Sequence, residues 1–113
     1  MSGGRHEGDG LERSRRVDFG RVNRAALAHA LTLVPAFLPE GRREGQEWVA
    51  RNPHRGDKRL GSFKVNLTSG RWADFATGDV GGDLVALAAF VSGLPQREAA
   101  IRLAGSLGVS PWA

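Results

Sequence analysis

Apolar side chains first recur at helical spacing in "VNRAALAHALTLVPAFL", residues 22–38. Val22, Ala26, Ala30 and Leu33 follow one helical face, and Leu27, Leu31 and Val34 widen it. Asn23 is suited to cap the start. Pro35 lacks an amide hydrogen and disfavours helical backbone at Val34, so the helix should end or kink there. His29 lies inside this helix and reads as a half-exposed packing residue.

The period then shortens to two. "EGRREGQ" reads as a polar turn, and "EWVARN" as a strand with Trp48 and Ala50 on one face. "NPHRGDKRL" is a loop by its proline and glycine. In "GSFKVNL", Phe63, Val65 and Leu67 point one way and Ser62, Lys64 and Asn66 the other. "TSG" supplies a tight turn with Gly70 at positive φ, and "RWADFA" is the return strand of a β-hairpin.

Helical spacing returns near residue 83. Asp83 can cap a helix whose buried face is Leu84, Leu87, Ala88 and Val91, with Gly93 as terminator. Pro95 fits the first turn of a last helix, with Ala99, Ile101, Leu103, Ala104 and Leu107 on its apolar side. Gly108 ends that helix. The expected fold is α+β. It has a small antiparallel sheet of three to four strands, packed with one N-terminal and two C-terminal helices.

Composition changes the picture at three points. Residues 1–18 are rich in Gly, Arg and Glu, with one large aliphatic residue, Leu11. They read as a disordered arm ahead of a domain at 19–113. The start has no apolar core and does not resemble a signal peptide, so a cytoplasmic protein is expected. The 113 residues contain no cysteine, which excludes disulfides and thiolate metal sites. The net charge is +4, and its placement is uneven. Residues 51–72 carry Arg51, Arg55, Lys58, Arg59, Lys64 and Arg71 against Asp57 alone. A basic segment of that kind suits either a polyanionic partner or a solvated face.

The stretch "ATGDVGGD" leaves the hairpin through Gly78, Gly81 and Gly82 and enters a helix at Asp83. It lacks the lysine and serine of a Walker A loop, and Asp79 and Asp83 would repel phosphate. Caps and ion pairs account for Asp74, Asp79 and Asp83 more simply than a Mg²⁺ or Ca²⁺ site does.

The run "NPHR…GSFKVNLTSGRWADFATGDVGGDLVALAAFVSGLPQREAAIRLA" resembles the N-terminal zinc-binding domain of bacterial and phage DNA primases. Ser62, Phe63, Val65 and Asn66 match its Ser-Phe and Val-Asn residues. Gly81, Gly82 and Asp83 match its Gly-Gly-Asp, and Glu98 and Ala99 its Glu-Ala. The likeness covers roughly residues 20 to 108. At the four zinc-ligand positions stand Asn52, Arg55, Asp74 and Thr77, which cannot form a tetrahedral zinc set. The resemblance therefore implies a metal-free ribbon closed by side-chain contacts, with Arg55 paired to Asp74.

The same resemblance implies a binding module that contacts single-stranded template beside a separate primase, polymerase or helicase. Phage, plasmid or other mobile-element replication is the expected setting. Arg51, His54, Arg55, Lys58, Arg59, Lys64, Asn66 and Arg71 are candidate nucleic-acid contacts. Trp72 joins them if the hairpin turns it outward, and belongs to the core if not. No cofactor, metal or membrane partner is expected. No nucleophile–base pair is evident, so the chain is not expected to be an enzyme on its own. A protein-docking module that kept the fold without nucleic-acid binding is the alternative.

Overall fold

The computed structural model describes residues 15–54 and 61–113. The expected disordered arm lies outside the described residues except for its last four, which are folded. Asp18 accepts a hydrogen bond from the Arg21 amide at 2.9 Å and caps helix α1, Phe19–Ala28. The helix thus starts one turn earlier than Asn23 would set it.

The chain breaks at His29, which is exposed, and resumes as helix α2, Ala30–Phe37, with Pro35 inside it. The kink comes ahead of the proline rather than at Val34. Within α2 the ring offers no donor to the Leu31 carbonyl one turn back. Val22, Ala26, Ala30 and Val34 are buried as the spacing requires, whereas Leu31 is exposed.

Five strands follow in sequential antiparallel order: β1 Arg42–Glu44, β2 Glu47–Ala50, β3 Phe63–Asn66, β4 Trp72–Asp74 and β5 Val80–Gly81. Two of them were not foreseen. Strand β1 is wholly polar and exposed, an edge that apolar alternation cannot reveal. It joins β2 through a turn with Gly45 at φ 62°. Strand β5 is only two residues long and pairs with Trp72 and Ala73 inside what reads as a glycine loop.

Gly81 has a specific reason to be glycine there. A Cβ on it would lie 2.3 Å from the Trp72 ring, so the bare backbone admits the indole. Trp72 Nε1 then donates to the Asp83 carbonyl at 3.2 Å.

Helix α3, Leu84–Ser92, is capped by Asp83, whose Oδ1 accepts from the Ala86 amide at 2.8 Å, and ends at Gly93 with φ 73°. Asn23 supplies a second cap from a distance: its Oδ1 accepts from the Val85 amide at 3.0 Å and ties α1 to α3. Helix α4, Gln96–Leu107, begins after Pro95 and ends at Gly108, also left-handed.

The helices cover one face of the open sheet, which makes the fold α+β. Ala50, Phe63, Val65 and Trp72 meet Leu84, Leu87, Ala100 and Leu103 in a single core. Phe63 and Trp72 stack with centroids 5.5 Å apart, and Phe90 closes the group at 5.8 and 5.0 Å. The ends of the described chain meet as well. Val17 bridges to Trp112, Ala113 N donates to the Arg16 carbonyl at 2.8 Å, and Arg15 and Arg97 lie over the Trp112 ring. Trp112 folds back onto the domain. No single described helix is long and apolar enough to cross a membrane.

Candidate nucleic-acid interface

Hairpin register decides which side chains reach the face away from the helices, where Val49, opposite Lys64, is itself 2% exposed. Val65 stands opposite Trp72, and Lys64 opposite Ala73. Directly opposed residues share a face, so Trp72 goes inward with Val65. It is 6% exposed, which corrects the outward placement considered for it. Phe75 lies three residues further on, across a change of face, and is 73% exposed. Among the described residues, Phe75 is the aromatic ring that the hairpin presents on its outward side.

Lys64 Nζ lies 5.9 Å from the centroid of Phe75, at the outer range of a cation–π contact. Arg71 is exposed at the turn end of β4 and lines the same shallow groove of about 400 Å³. Val80, 71% exposed, completes its apolar part beside Phe75. Lys64 and Arg71 thus share one surface.

The other candidates divide. Asn66 also lines the groove, but its Oδ1 accepts from the Thr68 and Ser69 amides at 2.9 and 2.8 Å, holding the hairpin turn. Arg51 pairs with Glu40 at 3.7 Å. His54 packs edge-on against Phe90 at 4.9 Å, with Nε2 at 2.6 Å from the Phe90 carbonyl, and so leans toward helix α3. Arg55, Lys58 and Arg59 lie outside the described residues.

The open face is not uniformly basic. Glu44 and Glu47 stand opposite each other and in line with Asn66. Glu44 is held by Arg42 at 2.8 Å, and Glu47 has no ion pair or side-chain hydrogen bond among the described residues.

Behind the hairpin, two positions singled out by the primase resemblance meet. Asn52 Nδ2 donates to Asp74 Oδ2 at 2.6 Å, with Asn52 2% and Asp74 1% exposed. Asn52 Oδ1 accepts from the His54 amide at 2.8 Å, and Asp74 Oδ1 accepts from the Ala76 amide at 2.8 Å. The Asp74 carbonyl accepts from Gly78 at 2.8 Å, so both loops close on this one pair.

Burial acts to raise the Asp74 pKa. The Asn52 and Ala76 bonds, with the Ser62 and Thr77 hydroxyls from longer range, together outweigh it, and the net shift is downward. A charged carboxylate is therefore the form the fold holds. The expected Arg55 partner lies outside the described residues, and Asp74 Oδ2 is engaged by Asn52. Thr77 bonds Asp79 at 2.7 Å. No three potential metal-ligating side chains converge among the described residues.

The exposed ring at Phe75 was legible in one signal that residue types alone obscure. Trp72 and Phe75 are three apart on a strand of period two, so they face opposite sides. Once the turn pairs Val65 with Trp72, Phe75 must be the outward one. No protein-family model matches the chain, and no curated protein matches it.

Proposed function

We propose that the protein is a metal-free module related to the primase zinc-binding domain, that it binds single-stranded DNA on the open sheet face, and that it acts in the cytoplasm. It works beside a separate primase, polymerase or helicase in replication of a phage, plasmid or other mobile element, and is not itself a catalyst. The observation that carries this is the groove that Lys64, Arg71 and the exposed ring of Phe75 line together, with Lys64 beside the ring and Arg71 nearer the hairpin turn. Cations beside an open aromatic ring suit unpaired strands, because phosphates follow the charge and any base can stack. The relation to primases draws support from Asn52 and Asp74. The resemblance puts two metal ligands there, and these side chains touch.

Fluorescence anisotropy with a labelled oligothymidylate tests the reading. With roughly two to three phosphates engaged, log affinity should fall against log salt with a slope of about −1.4 to −2. Phe75→Ala should weaken binding about tenfold or more, since a stacked base contributes ~1–3 kcal/mol. Lys64→Ala and Arg71→Ala should each weaken it and flatten the slope. No binding by micromolar protein at low salt would defeat this reading. It would leave the protein-docking alternative, which is favoured by an apolar groove of about 220 Å³ among Phe37, Ala88, Val91, Leu94, Ala99 and Leu103.

A further inference from the structure

Three charged side chains line the open groove, and none of them pairs with another: Glu47, Lys64 and Arg71. Two other carboxylates close by in sequence are taken, Glu44 by Arg42 and Glu40 by Arg51. A carboxylate left open beside two cations weakens a surface whose only task is to hold phosphates. It makes sense if the ligand also offers hydrogen-bond donors.

Glu47 sits directly across from Asn66 in the β2–β3 register. Cross-strand partners hold their Cβ atoms ~4.5–5.5 Å apart. Both lone pairs of Asn66 Oδ1 are engaged by the Thr68 and Ser69 amides. That leaves its Nδ2 as the group open to a ligand. The pair therefore presents one amide donor beside two carboxylate acceptors.

The Watson–Crick edge of guanine is the complement: an O6 acceptor followed by the N1–H and N2–H donors. Thymine and adenine each place an acceptor where the carboxylate needs donors, and cytosine offers it a single amino group. The row of Lys64 and Ala73 lies one side-chain repeat along the face, about 6.6 Å away, and Phe75 lies beyond it. A strand that stacks one base on Phe75 and passes a phosphate near Lys64 can thus deliver a base one or two nucleotides further along to Glu47 and Asn66.

We infer that the Glu47–Asn66 pair reads guanine in single-stranded DNA lying on the open face, an inference that rests on the single-stranded DNA reading above. The test uses the full chain and four labelled oligothymidylates whose two central positions are T, G, A or C. The guanine oligonucleotide should bind about tenfold more tightly than the thymine one, within the range of a bidentate side-chain-to-base contact. Glu47→Gln should erase that preference while leaving affinity for the thymine oligonucleotide equal or higher. Asn66→Asp keeps the turn acceptor and removes the donor. It should weaken all four oligonucleotides and also erase the preference.

Equal binding of all four by the unaltered chain would overturn the guanine assignment and leave single-strand binding standing. So would Glu47→Gln tightening all four by one common factor, the behaviour of a carboxylate that only repels phosphate. No binding of any oligonucleotide would overturn both.

Discussion

The two faces of one hairpin carry an aromatic residue each, and they do opposite things. Trp72 on the covered face is stacked on Phe63, seated on the bare backbone of Gly81 and hydrogen-bonded to the Asp83 carbonyl. Phe75 on the open face is 73% exposed, with Lys64 Nζ 5.9 Å from its ring centroid. The larger ring is the more generic candidate for stacking on a base, and it is unavailable. The lesson is that residue type proposes a contact and strand register decides it.

That contrast makes its sharpest difference in stability. Trp72→Ala should cost about 3–5 kcal/mol, the range for emptying a large aromatic site in a core. Phe75→Ala should stay within about 0.5 kcal/mol, as exposed positions do. Thermal or urea unfolding of the two variants measures this directly. Equal losses would mean that the two faces are not distinct in the way the register implies.

The closure behind the hairpin should show the next largest effect. Asp74→Ala leaves the buried Asn52 amide without its acceptor and frees the part-buried Ala76 amide, at a cost of about 1–3 kcal/mol. A double-mutant cycle with Asn52→Ala should be non-additive by at least about 0.5 kcal/mol, and additive losses would separate the two residues. The same bond gives a pH signature. The folded-state pKa of Asp74 is depressed, so its contribution is complete above the pKa of the unfolded chain. It is lost as pH falls through the folded value, below the ordinary carboxylate range. Acid titration of stability in Asp74→Asn should lack that component.

A smaller effect belongs to the helical side. Asn23→Ala removes the distant cap on Val85 and should cost about 1 kcal/mol with no change in DNA affinity. A loss of affinity equal to that of Phe75→Ala would link the two faces.

Much of this was legible in the residues, for identifiable reasons. The alternation Phe63–Lys64–Val65–Asn66, the Gly70 turn, the Asp83 cap and the Gly93 and Gly108 stops are local signals, and local backbone rules settle them. The strands at Arg42–Glu44 and Val80–Gly81 carry no apolar period. They exist because a neighbour offers a ladder, which is a tertiary fact. Asn23 shows the same limit: a cap residue was visible, but the helix it caps is 62 positions away in sequence.

At the site, Lys64 and Arg71 were visible as charges in a basic segment. Their company was not. Glu47 joins them only through cross-strand register, and His54 departs toward Phe90 although it follows Arg51 by three residues. Charge counted along the sequence exaggerated how basic the open face is, because it did not include the glutamates folded in from the first hairpin.

The central claim is that unpaired nucleotides lie on the open face. An NMR titration of isotope-labelled protein with an oligothymidylate measures this most directly. Amide shifts should concentrate at Lys64, Arg71, Ala73 and Phe75, and leave Phe90, Val91 and Leu103 on the helical side unmoved. Shifts confined to that helical side, or none at saturating oligonucleotide, would contradict it.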